Sequence, residues 1–193
     1  MAEDTEWVHA VERAYVAAAT GGALPPPGDP AQLPRARAAI GAVASHYLAV
    51  GTPRSFGLVV DPDEVATAID SLAAHRTWFA PRDLRCAGPG GPDTANAIGA
   101  RVTTLEEALA CDIVCIHARL RLDAAQLRRG THVNILADAS HDDELAKVAA
   151  ITHEQPGLGA LAAGLVDGRQ LDELTLFVIG DAAIALGALG SRA

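Results

Sequence analysis

The sequence predicts an α/β fold, a three-layer parallel sheet, and three observations carry that reading. Short apolar runs of strand composition recur at Ser55-Phe56-Gly57-Leu58-Val59-Val60, Asp112-Ile113-Val114-Cys115-Ile116 and Thr131-His132-Val133-Asn134-Ile135-Leu136. A helix-periodic segment, Val65-Ala66-Thr67-Ala68-Ile69-Asp70-Ser71-Leu72, follows the first run. Strand, helix and strand at these spacings describe parallel strands joined by crossover helices. Such a sheet is of the Rossmann, dinucleotide-binding type, in which the turn after the first strand receives a pyrophosphate.

From the N-terminus, Glu3, Asp4 and Glu6 place negative charge at a helix start, and Trp7, Val8, Val11, Tyr15 and Val16 form that helix's apolar stripe. Gly21-Gly22 ends it, and Leu24-Pro25-Pro26-Pro27-Gly28-Asp29-Pro30 reads as a stiff, extended linker, expected to reach outward instead of folding back. A second helix carries Ala36, Ala39, Ile40, Val43, Ala44, Tyr47 and Leu48 on one face, stopped by Gly51-Thr52-Pro53. The first crossover helix is expected over residues 64–75, with Asp61 as cap and Pro62 at the first helical position. Residues 84–87 are the second strand, and Asp93 is expected to cap a short helix. A capping box at Thr103-Thr104-Leu105-Glu106-Glu107 opens another. Strands follow at 112–117 and 131–136, helix at 140–147, strand at 148–152, helix at 158–165 and a last strand at 174–179. Asp181 starts an alanine-rich final helix. The expected division is a helical arm and linker over residues 1–52, packing with residues 181–193, and a Rossmann-like domain over 53–180.

Composition narrows the functional classes. The chain has 193 residues, suited to one domain or one with a small appendage. Half of it is apolar but only seven side chains are Phe, Trp or Tyr, so alanine, leucine and valine must build the core. No apolar run is long enough to span a membrane and the acidic N-terminus lacks signal-peptide order, so a soluble cytoplasmic protein is expected. A net charge of -9 argues against nucleic acid, and Arg119, Arg121, Arg128 and Arg129 form too short a cluster to overturn that. Cys86, Cys111 and Cys115 read as reduced, buried thiols. Cys111 and Cys115 fall on opposite sides of a strand, which suits neither zinc nor redox work.

Several dispersed stretches resemble the ornithine cyclodeaminase/μ-crystallin family. They are Ala10-Val11-Glu12-Arg13-Ala14-Tyr15 through Leu24-Pro25-Pro26, the helix from Arg35 to Ala49, Glu106-Glu107-Ala108 with Asp112-Ile113-Val114-Cys115, Gly130-Thr131-His132-Val133-Asn134, and Leu171-Asp172-Glu173-Leu174-Thr175-Leu176-Phe177. Between the proline linker and Arg35 the family carries several dozen more residues, most of its substrate and dimerisation sheet. The resemblance implies that Arg37 matches an arginine holding a substrate carboxylate. It also puts Asp138 near an aspartate that binds the substrate amine. The family's lysine and second arginine have no counterpart here.

The cofactor features depart from that pattern. Asp61-Pro62-Asp63-Glu64 stands where the family has a Gly-x-Gly loop. Pro62 removes an amide, and a phosphate about 4 Å from one of these carboxylates meets repulsion of about 4 kcal/mol at an effective dielectric of about 20. The second strand ends in Cys86-Ala87-Gly88-Pro89, without the acidic or basic residue that reads an adenine ribose. Gly157-Leu158-Gly159-Ala160-Leu161-Ala162 matches Gly-x-Gly-x-x-Ala but reads as a helix start with small packing residues. Ser140-His141-Asp142-Asp143-Glu144 reads as a cap, with Ser140 three positions before Asp143. His117 stands at a strand's C-terminal end, where a lone histidine usually bonds neighbouring backbone.

The expectation is a non-catalytic relative that kept the scaffold, expects no cofactor, and serves a structural, interaction or regulatory role with an unidentified protein partner. Two alternatives stand beside it: an NAD(P)-dependent amino-acid or imino-acid enzyme using Arg37 and Asp138, or a small-ligand sensor at the strand-end crevice around His117 and Asp138. A homodimer or larger assembly is expected, with Trp7, Val11 and Tyr15 meeting Ile184, Leu186 and Leu189 of the last helix in the same chain or a second one.

Overall fold

The computed structural model describes residues 5–166 and 173–190. Glu3, Asp4, Leu171 and Asp172 lie outside the described residues. Along the chain come α1 (Glu6–Ala19), α2 (Leu33–Leu48), β1 (Ser55–Val60), α3 (Val65–His75), β2 (Asp83–Ala87), α4 (Gly91–Ile98), β3 (Arg101–Val102), α5 (Leu105–Leu109) and β4 (Ile113–His117). Then follow β5 (Arg121–Leu122), β6 (His132–Ile135), β7 (Ser140–His141), α6 (Asp143–Val148), β8 (Ala149–His153), α7 (Gly159–Ala162), β9 (Leu174–Val178) and α8 (Ala183–Gly190).

Seven of the strands form one sheet in the order β3-β2-β1-β4-β6-β9-β8, and every pairing in it is parallel. Strand periodicity sorts the side chains into two cores. Phe56, Leu58, Val60, Cys115 and Phe177 join α1, α2, α3 and α8 on one face. Val59, Val114, Ile116, Val133 and Leu176 join Ala108, Leu109 and Leu145 on the other. Cys111 and Cys115 sit in different cores because Cys111 precedes β4 and is not bound by its alternation. The alanine-rich α2 lies close on the sheet: a Cβ at Gly41 would stand 2.8 Å from Leu136 Cδ1. Gly159 packs its backbone against α1, since a Cβ there would lie 3.1 Å from the Tyr15 carbonyl oxygen.

Several local expectations are corrected. Asp61 makes no side-chain cap; a 3-10 turn over Pro62–Glu64 precedes α3 instead. Asp93 lies inside the first turn of α4, behind Gly90 as the flanking residue. Ser140 does not cap α6: it belongs to β7, which pairs with β5, and Asp142 accepts from the Leu145 amide at 2.6 Å. The Thr104–Glu107 capping box forms as expected.

The arm finds its cover within the chain. Trp7, Val8, Val11 and Tyr15 are buried with Ile184 and Ala185 of α8, and Leu186 and Leu189 pack against the same core. Full burial of Val8 and Val11 contributes roughly 1.5–3 kcal/mol each. Of the two covers expected for this face, the last helix of the same chain supplies one, and the face is buried against it. The proline linker, expected to reach outward, folds back on α8. A Cβ at Gly28 would lie 2.0 Å from the Leu186 carbonyl oxygen, and one at Gly187 2.4 Å from the Pro26 carbonyl oxygen, so only glycine permits this approach. Buried Glu154 fastens the arm from below, accepting from the Tyr15 hydroxyl, the Gly180 amide at 2.6 Å and the Ala182 amide at 3.3 Å.

Candidate functional site

The strand order reverses between β1 and β4, and a parallel sheet places its ligand crevice outside the carboxyl ends at such a point. Here that crevice is a cavity of about 140 Å³. Arg37 reaches it from α2, Asp61, Asp63 and Glu64 from the turn after β1, His117 and Arg119 from the end of β4, and Asp138 from the segment after β6. The fold thus brings together Arg37, Asp138, His117 and the acidic turn, which are separated by up to about one hundred positions in the chain.

Each group is held differently. Arg37 Nη1 donates to Glu64 Oε1 at 3.2 Å, both side chains being partly exposed. The Asp61 amide donates to the His117 carbonyl oxygen at 2.9 Å, and Asp61 Oδ2 accepts from the Arg119 amide at 2.9 Å. That carboxylate stitches the β1 turn to the β4 end and is not free to cap α3. Asp63, Arg119 and Asp138 are exposed at the rim.

His117 is completely buried. Its Nε2 lies 2.9 Å from the Ser71 hydroxyl on α3, a side-chain partner where backbone was expected. Its Nδ1 has no hydrogen-bond partner. Burial, then the neighbouring His75 and the Arg37 charge, push its pKa down to about 3, so the ring is neutral at pH 7.

Behind His117 runs a buried polar relay that sequence reasoning missed. His75 Nδ1 donates to the Ser71 carbonyl at 2.7 Å, so the neutral ring's Nε2 accepts from the Ser45 hydroxyl at 2.9 Å. Ser45 in turn accepts from Asn134 Nδ2 at 2.8 Å. Asn134 Oδ1 accepts from His132 Nε2 at 3.0 Å, and His132 Nδ1 faces the Thr175 hydroxyl at 2.8 Å. The available signal was the alternation of polar residues inside apolar strands, Cys115 with His117 and His132 with Asn134. Cys115 lies beside this relay with its thiol pushed up to about 12 by burial, which makes it unreactive. Among the described residues, no group of three or more His, Cys, Asp or Glu is placed to hold a metal ion.

The turn after β1, where a dinucleotide-binding sheet receives its pyrophosphate, is crowded on both sides. On one side Asp61 bridges to Arg119 across the switch point. On the other, the turn after β2 folds over the β1 end: the Gly90 amide donates to the Val60 carbonyl at 2.8 Å. A Cβ at Gly90 would lie 2.6 Å from the Asp61 carbonyl oxygen, and Gly88 has φ +87°. The pyrophosphate's place is thus bounded by carboxylates and by the chain's own backbone, with Pro62 lacking an amide to offer. At the end of β2, Ala87 and Gly88 present no charge toward a ribose. Larger cavities lie elsewhere. One of about 270 Å³ between the linker and α8 is lined by Leu24, Pro25, Ile184 and Leu186 and lacks convergent polar groups. Another of about 490 Å³ flanks β8.

No protein-family model matches the sequence, and no curated protein matches it significantly. Solved structures do match in fold. An archaeal alanine dehydrogenase dimer with bound NAD superposes with a TM-score of 0.79 at 20% identity, covering 97% of this chain and 89% of that one. The Thermococcus litoralis Δ1-pyrroline-2-carboxylate reductase in complex with NADH and L-proline gives 0.78 at 17% identity, over 97% and 90%. The probable ornithine cyclodeaminase from Bordetella pertussis Tohama I gives 0.66 at 19%, over 85% and 67%.

Proposed function

We propose that this chain, whose fold is that of the ornithine cyclodeaminase/μ-crystallin proteins, binds a small amino or imino acid in the crevice at the strand ends. The convergence of Arg37, Asp138 and His117 on one cavity at the switch point carries this reading. Size fits a small ligand. A cavity of about 150 Å³ takes a benzene, whereas pockets for larger organic ligands run from about 300 to 1,000 Å³. The cavity here is about 140 Å³, on the scale of the benzene-sized cavity and below that of pockets for larger organic ligands. Charge fits a zwitterion. Arg37 and Arg119 face four carboxylates, Asp61, Asp63, Glu64 and Asp138. A ligand carboxylate pairs with Arg37, its amine with Asp138, and a polyanion is repelled.

The proposal then divides on turnover. In the first reading the chain holds its ligand without chemistry, as a sensor or regulatory protein; the acidic, backbone-filled turn after β1 supports it. In the second it is an NAD(P)-dependent enzyme on amino or imino acids. That reading is favoured by two structural neighbours named as an alanine dehydrogenase with NAD and a pyrroline-2-carboxylate reductase with NADH. Calorimetric titration with NAD(H) and NADP(H) separates them. Absence of binding at millimolar cofactor is expected from the turn; micromolar binding establishes the enzyme reading and overturns the first. A homo-oligomer belongs to the same proposal, in keeping with the dimer named for the archaeal dehydrogenase. With the α1 face covered, it would use surface other than Trp7, Val11 and Tyr15.

A further inference from the structure

We propose that the free Nδ1 of His117 is a ligand-reading group of the strand-end crevice, donating to the same ligand carboxylate that Arg37 pairs with. The inference rests on the crevice being an amino-acid site and adds to it a residue that neither the acidic turn nor the resemblance supplies.

The argument starts from an unmet hydrogen bond. A buried polar atom without a partner costs stability, and native structures retain few of them. His117 is completely buried, and its Nδ1 is one of two such side-chain atoms among the described residues. The other, the Thr77 hydroxyl, does not line the crevice, whereas His117 does. The other polar groups of this interior are satisfied in a directional series from Thr175 through His132, Asn134, Ser45 and His75 to Ser71. Beyond Ser71 stands His117, which lines the crevice together with Ala118 and Arg119.

The tautomer follows from the partners. The Ser71 hydroxyl at 2.9 Å can supply its proton to Nε2. The neutral ring then carries its own proton on Nδ1. An N–H with no acceptor, on a cavity that Arg37 also lines, selects an anionic oxygen. A ligand carboxylate meets Arg37 with one oxygen and His117 with the other. Its amine then lies toward Asp63 and Asp138. Desolvation favours discrimination, because a ligand without the carboxylate leaves the buried N–H unpaired.

The test uses two variants that separate the ring's nitrogens. In His117→Gln the amide reaches the position of Nε2 and keeps the Ser71 bond, while nothing replaces Nδ1. In His117→Asn the amide stands at the position of Nδ1 and the Ser71 bond is lost. Calorimetric titrations of both variants and of the unaltered chain use L-alanine, L-proline and L-ornithine, with melting curves recorded alongside. The expected result is an affinity loss of about tenfold or more in His117→Gln, with His117→Asn within a few-fold of the unaltered chain despite a lower melting temperature. A purely structural histidine gives the opposite order, with binding following stability, and that outcome overturns the role of Nδ1 while leaving the crevice as the binding site. Equal affinity in all three proteins overturns it likewise. No binding of any of the three amino acids to the unaltered chain overturns the amino-acid site and this inference with it.

Discussion

At the residue scale, the same carboxylate can cap a helix or tie two strands together, and Asp61 does the second. The sequence placed it correctly before a proline and a helix, but the acceptor's partner, the Arg119 amide, lies fifty-eight positions away. Asp61→Ala removes a charge-assisted bond at a partly exposed site and is expected to cost about 1–2 kcal/mol in urea unfolding. It is also expected to loosen residues 118–120 in amide exchange; unchanged exchange there would refute the stitch. The buried histidines give a second prediction. Burial lowers His75 from 6.5 to about 4 and His117 to about 3. The unfolded chain therefore binds more protons than the folded one below pH 6.5. Their stabilisation is complete above pH 6.5 and is lost as pH falls toward 4 and then 3, by at most about 1.4 kcal/mol per pH unit for each ring. His117→Gln, measured by urea unfolding from pH 7.5 to 4.5, is expected to reduce that slope. A slope the same in both proteins would place the acid sensitivity elsewhere.

At the element scale, what was legible depended on how local the determinant is. The strands at 55–60 and 113–117 were readable because each is a short apolar run, and the Thr104–Glu107 box because both partners sit within one turn. The two-residue strands β3, β5 and β7 were not, since so short a piece has no periodicity and exists only by pairing. The linker was misread for a similar reason. Its prolines specify extension, but Gly28 and Gly187 specify contact with α8 only when both backbones are in view. Gly28→Ala forces a methyl against the Leu186 carbonyl and is expected to destabilise by about 1–3 kcal/mol. A neutral effect on the melting temperature would mean the linker does not rest on α8. The arm has its own anchor in Glu154. Glu154→Ala strands the Tyr15 hydroxyl and two amides, and a loss of about 3 kcal/mol or more is expected in chemical denaturation. A cost below about 1 kcal/mol would show that water replaces the carboxylate there.

At the scale of the whole molecule, one fact organises the site: the sheet order reverses at β1 and β4, and Arg37, His117, Asp138 and the acidic turn gather there. Arg37, Asp138 and His117 were individually legible as candidates. Their meeting was not, because it depends on α2 lying across the sheet close enough for Arg37 to reach the β1 turn, a distance set by alanine packing and not by any motif. The relay from Thr175 to Ser71 was hidden likewise, as its members come from four separate elements. The packing of the acidic turn against the backbone after β2 was likewise hidden, since Gly88 and Gly90 specify it only once both turns are in view. The central claim is that the strand-end crevice takes a small zwitterion. Its most direct test is an assigned amide spectrum of the labelled chain titrated with L-proline. Saturable shifts confined to residues 60–64, 117–119 and 137–138 are predicted, and they should vanish in Arg37→Ala. Shifts that cluster instead on the linker and α8, or along β8, or no shifts at millimolar proline, would contradict the account.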